Sequence, residues 1–122
     1  RAGEMYLIEA EALARGGNEP QSKIVFTLFM KNRNPAYVAP AFSGAAYITE
    51  IMDSRRIELW GEGFRWFDLK RLNQGLVRND TGSNHVSTVV NSVFTVPSTD
   101  PRWLFKIPQQ EIDSNPLCKQ NP

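Results

Sequence analysis

The chain has 122 residues, of which 41% are hydrophobic and 22% charged, and its formal net charge is +1. That balance excludes a wholly disordered polymer, and it lacks the broad positive field that non-specific binding to nucleic acid requires. No uninterrupted apolar run approaches the ~18 residues of a membrane-spanning helix. One cysteine, Cys118, cannot form an internal disulfide, and with one histidine, His85, it leaves no zinc constellation. No metal or cofactor is therefore expected. The chain opens at Arg1 directly in a helical pattern, without a charged-then-apolar leader, as a piece of a longer polypeptide would.

The segment AGEMYLIEAEALARGG predicts a helix over 2–15, with Met5, Ile8 and Ala12 in one stripe and Tyr6, Ala10 and Leu13 beside it. Gly16 and Gly17 close it. NEPQSKIVFTLFMKNRNP predicts a second helix over 20–33, with Pro20 in its first turn and Pro35 barring continuation. Its apolar residues, Ile24 to Phe26 and Leu28 to Met30, run nearly all the way round, so more than one side must be covered. Two helices and a turn in about 34 residues match the length of a tetratricopeptide unit. A single unit cannot bury its own faces, so further helices, or a second copy, are expected against it. Ser43 is positioned to cap a third helix over 44–62, carrying Ile48, Ile51, Met52, Arg55, Leu59 and Glu62 on one face. A fourth is expected over 63–73, ending near Gly75. From 76 to 122 the pattern becomes an irregular excursion of the same domain. It carries short β-favouring runs at 86–90 and 93–96 and one helical turn after Pro108.

The stretch SRRIELWGEGFRWFDLKR, residues 54–71, concentrates five basic, three acidic and four aromatic residues. A nucleic-acid surface would align the bases on one side and free the aromatics to stack. Here acids follow or precede bases at three-residue steps: Arg55 with Glu58, Glu62 with Arg65, Arg65 with Asp68, Asp68 with Arg71. On a helix that spacing pairs charges with each other. Ile57, Trp60, Phe64 and Phe67 recur at helical steps and read as core. A carboxylate active site is equally disfavoured, because each acid has an arginine within one turn, which lowers its pKa and weakens it as a proton donor. No nucleophile-and-base pair or phosphate-cradling loop is present, so no catalytic residue is assigned. The six residues Arg55, Glu58, Glu62, Arg65, Asp68 and Arg71 are expected to form a structural charge network. Gly61 and Gly63 would let the chain bend between two helices.

Three motifs make the chain resemble the C-terminal portion of the SusD/RagB family: GEMYLIEAEA at 3–12, the run from Arg55 to Arg71, and the run from Ile107 to Pro122, including IPQQEI and QNP. Their order and spacing also fit, and they span almost the whole chain. The chain departs from the family pattern at Ser54, at Trp60 and at Asn34-Pro35. The resemblance implies a mainly α fold of tetratricopeptide-like helical hairpins with a loop-rich C-terminal tail, in a protein several times this length. It implies non-enzymatic capture of a nutrient, chiefly an oligosaccharide, at the outer membrane. The substrate would pass to a SusC-like TonB-dependent transporter, with the membrane engaged only through an N-terminal lipid anchor absent from this chain. The motifs are scaffold, so no ligand-binding residue carries over from the family. From the residues themselves, Trp103, His85 and Asn84 lie in or near loop-like sequence where a sugar could be met, although Trp103 also begins an apolar run. A tetratricopeptide-like module that binds a peptide or protein is the alternative of a different class.

Overall fold

The computed structural model describes residues 1–78, 88 and 94–121. Its elements are α1 (Ala2–Arg15), α2 (Glu19–Lys31), α3 (Ala45–Glu58), α4 (Phe64–Arg71), β1 (Leu76–Arg78), β2 (Phe94–Val96), a 3-10 turn (Pro101–Trp103) and α5 (Gln109–Ser114). The fold is mainly helical with a loop-rich C-terminal part, as the sequence pattern implies; it also has a two-stranded sheet, whose strand Leu76–Arg78 was not expected. Two compact units are distinguished, Arg1–Arg65 and Trp66–Pro122. The expected run at 86–90 falls outside the described residues except for position 88.

In the first unit α1 and α2 pack as a helical hairpin and α3 lies against α1. The turn between α1 and α2 closes as a Schellman motif: Asn18 N–H reaches Leu13 O at 2.9 Å, and Gly17 N–H reaches Ala14 O at 3.3 Å. Asn18 then caps α2 by accepting from Gln21 N–H at 3.4 Å, and Pro20 sits in the first turn. The buried cluster consists of Leu7, Ala10, Val25, Phe26, Phe29, Tyr47 and Ile51. Phe26 meets Tyr37 and Tyr47 edge-on, each at a centroid distance of 5.9 Å. Inside this core Ser22 Oγ donates to Ala10 O at 2.6 Å and lies 2.9 Å from Tyr47 Oη. One polar trio thus ties α1, α2 and α3 together, with its hydroxyls satisfied away from water.

The face of α1 that is buried differs from the expected stripe. Leu7, Ala10 and Glu11 point inward, while Met5, Ile8 and Ala12 face out. Likewise Val25, Phe26 and Phe29 of α2 are buried, but Ile24 and Leu28 are exposed. The outward apolar residues satisfy the same helical period, so periodicity could not say which of two stripes is inner.

Helix α3 starts after Gly44, with no side-chain cap, so Ser43 does not serve as expected. It stops at Glu58 rather than near 62. Beyond Leu59 the backbone turns left-handed at Gly61 (φ 78°) and again at Gly63 (φ 81°), which glycine alone adopts without strain. Helix α4 also ends earlier than expected, at a Schellman motif built on Asn73 (φ 51°). Here Gln74 N–H bonds Leu69 O at 2.8 Å and Asn73 N–H bonds Lys70 O at 3.1 Å.

The second unit gathers Leu69, Val96 and Trp103, with Trp66, Leu76 and Phe94 packed on them. Strands β1 and β2 run antiparallel, with Leu76 opposite Val96, Val77 opposite Thr95 and Arg78 opposite Phe94. Gly75 precedes this ladder for a steric reason: a Cβ there would stand 2.6 Å from Val96 O. At the end of the chain, Gln120 takes Ile107 with both ends of its amide. Its Oε1 accepts from Ile107 N–H at 2.9 Å and its Nε2 donates to Ile107 O at 3.1 Å. Asn121 Nδ2 adds a bond to Phe105 O at 2.9 Å.

Candidate functional site

Five of the eight charged residues of 54–71 are paired among the described residues, mostly with partners far along the chain. Within the first unit Glu58 receives Arg33 in a fork, with Nε 2.9 Å from Oε2, and the Arg33 guanidinium also lies 5.4 Å from the Phe29 ring centroid. Glu62 bonds Arg1, and the buried Arg55 lies 3.7 Å from Glu4 and 5.4 Å from the Phe64 ring centroid. In the second unit Arg71 Nε donates to Asp68 Oδ1 at 2.9 Å, which is the i,i+3 spacing read from the sequence. Arg65 makes no ion pair among the described residues. Arg33, hydrogen-bonded to Glu58, holds that carboxyl below its usual range. At the start of α2, Gly44 N–H and Lys23 do the same for Glu19. Carboxylates held ionised in this way are poor general acids.

The aromatics of the same stretch depart from the expected core. Trp60 is 85% exposed and Ile57 77%, while Phe67 is also largely exposed and Phe64 half-buried. Their helical spacing is real, but α3 ends before Trp60, so the stripe is not continuous.

Of the three loop candidates, His85 and Asn84 lie outside the described residues. Trp103 is 6% exposed, and its indole Nε1 donates to Pro97 O at 2.7 Å. Its ring lies 4.6 Å from that of Trp66, whose other neighbour is Phe105 at 5.7 Å. Trp103 is thus part of the packing of the second unit, with its polar edge already engaged.

It nevertheless lines a half-open cavity of about 360 Å3 in that unit. Leu69 and Trp103 supply its apolar base, and Lys70, Asn73, Gln74 and Ser98 are among the polar side chains around it. That volume is within the range of small-molecule sites, ~300–1,000 Å3. Two local devices shape it. The Schellman end of α4 turns Asn73 and Gln74 onto the rim. In the other lining segment, Asp100 caps the 3-10 turn through Arg102 N–H at 2.9 Å and grips the Arg102 guanidinium at 2.8 and 2.9 Å. These bonds pull the Asp100 carboxyl down to about 2. A smaller apolar hollow of about 260 Å3 lies between Trp66, Leu76, Phe94, Val96, Arg102 and Trp103. The sequence offered only one clue to the larger cavity, the Asn-Gln pair just beyond the last turn of α4, which the presence of Gly75 obscured.

A mainly helical chain with a hairpin-based first unit and an aromatic, loop-rich second unit defines a tetratricopeptide-like scaffold. Residues 1–122 match the SusD family over their full extent, and the chain belongs to the SusD family. Its fold is similar to that of a protein from Bacteroides vulgatus ATCC 8482, solved as a "Putative sugar binding protein", at a TM-score of 0.82 and 27% identity. The likeness covers 100% of this chain and 27% of that one, so the chain spans about a quarter of the length of that relative. No curated protein matches the chain at a significant level.

Proposed function

We propose that this chain is the C-terminal helical part of a non-enzymatic glycan-binding protein at the outer membrane. It would take up an oligosaccharide and deliver it to a SusC-like TonB-dependent transporter. The observation that carries this reading is the match to the SusD family along all 122 residues, joined to a TM-score of 0.82 with the Bacteroides protein. Three of the acids are unsuited to the role of a protonated general acid. Glu19, Glu58 and Asp100 are each held in the charged form by hydrogen-bonding partners, whereas glycosidic cleavage needs one carboxyl kept protonated.

The test is calorimetric titration of the full-length protein against a panel of oligosaccharides, with product analysis of the same mixtures. Binding without cleavage is expected, together with co-purification of a TonB-dependent transporter from outer membranes. Release of shorter sugars would overturn the non-enzymatic reading. The alternative, a module for a peptide or protein partner, draws on the outward apolar residues Met5, Ile8, Ile24 and Leu28. Indifference to every saccharide, with tight binding of a peptide, would favour it.

A further inference from the structure

The glycan-binding reading leaves the class of sugar open, and the cavity of the second unit bears on it. Its charges are unequal in availability. Asp100 uses both carboxylate oxygens on Arg102, within the same turn, and that pair is internally neutral. Lys70 has no ion pair among the described residues; its ammonium lies 6.0 Å from the Trp66 ring centroid, at the outer reach of a cation–π contact. Asn73, Gln74 and Ser98 side chains likewise have no hydrogen-bond partner among the described residues, so a ligand would meet them without displacing an internal bond. Apolar floor, amide and hydroxyl rim, and a single uncompensated positive charge are a complementary set for one kind of sugar ring.

Resting on the glycan-binding reading above, we infer that this cavity, between the C-terminal end of α4 and the Ser98–Trp103 turn, is a subsite for an acidic sugar residue such as a uronate. The hydrophobic face of the ring would lie on Leu69 and Trp103, its hydroxyls against Asn73, Gln74 and Ser98, and its carboxylate toward Lys70. The alternative of a neutral ring would leave Lys70 with the long Trp66 contact and the end of α4 alone. The Schellman bonds already satisfy the Leu69 and Lys70 carbonyls there, which reduces the pull of that helix end on a cation.

The experiment uses the full-length protein and two probes, the methyl glycosides of galacturonate and galactose, titrated by calorimetry at low and at high salt. The uronate is expected to bind about tenfold more tightly at low salt, equivalent to about 1.4 kcal/mol, with the margin shrinking in high salt. Lys70→Gln should bring the ratio of the two affinities close to one. Asn73→Gly, which keeps the left-handed backbone while deleting the amide, should weaken both sugars several-fold and leave the ratio in place. Equal affinity for the two sugars, or a uronate preference that survives Lys70→Gln, would overturn the inference while leaving glycan binding intact. Binding of neither glycoside, together with binding of neutral oligosaccharides elsewhere, would do the same. Indifference to all saccharides would instead overturn the reading on which it rests.

Discussion

The two units reach order by different means. In Arg1–Arg65 three helices share one apolar cluster, with a buried Ser22–Tyr47 contact at its centre and ion pairs joining residues far apart in sequence. Among the described residues of Trp66–Pro122 the buried apolar cluster is Leu69, Val96 and Trp103, and side chains bonding backbone add further order: Trp103 to Pro97, Asp100 to Arg102, Gln120 to Ile107. The first depends on area removed from water, the second on local hydrogen bonds that water can compete for. A part built in the second way can carry a cavity without undermining a core, which suits a loop-rich segment to contact a ligand.

That contrast can be broken most forcefully at Phe26, fully buried and edge-on to two tyrosines. Phe26→Ala should cost about 3–5 kcal/mol in urea denaturation, with hydrogen exchange accelerating across α1–α3. A loss confined to α2 would mean that the three helices do not form one cooperative core. A smaller effect is expected in the second unit from Gly75→Ala, where the new methyl meets the Val96 carbonyl at 2.6 Å. Backbone must move there, at a cost of about 1–3 kcal/mol, and exchange at Leu76 and Val96 should rise while α1–α3 stay protected.

The alkaline limb of stability sharpens the comparison further. Burial, with the Glu50 carboxylate adding to it, pushes the Tyr37 phenol up to about 12 from its usual 10. The fold thus favours the neutral phenol. Its contribution is complete below pH 10 and is lost as pH rises through about 12. Melts between pH 9 and 12 should show this decline in the native protein and a shallower one in Tyr37→Phe. The smallest effect is expected at the Arg33–Glu58 fork, whose partners are both partly exposed. A double-mutant cycle with Arg33→Gln and Glu58→Gln should give a coupling of less than about 1 kcal/mol, falling with salt. A coupling several times larger would make this ion pair a main tie between the turn after α2 and the end of α3.

Helices α1, α2 and α5 were legible because they carry local signals, whereas the Ser43 cap expected for α3 does not form and α3 stops at Glu58. Pro20 opens α2, Gly16-Gly17 close α1, and Pro108 precedes α5. What could not be read was anything decided by a neighbour. The i,i+3 pattern placed Arg55 with Glu58 and Glu62 with Arg65, but Glu58 found Arg33, Glu62 found Arg1 and Arg55 lies near Glu4. Those partners lie far away along the chain, at separations that spacing along one helix cannot see. The same holds for Trp60 and Ile57, assigned to a core by period alone and found exposed. The cavity was hidden for a further reason. Its two sides, the end of α4 and the turn at Ser98–Trp103, are distant in sequence, and the Asn73 cap that shapes one of them is a glycine-like position held by another residue.

The Gln120 contact has a consequence for register. By meeting both the N–H and the carbonyl of Ile107, one side chain reproduces what an adjacent strand would offer a single residue. Such a contact recognises a position rather than a composition: a slip of one residue would present Lys106 or Pro108 instead, and proline has no N–H to give. Pro108 therefore acts as a stop on one side of a measured alignment, and Gln120 as the gauge that reads it.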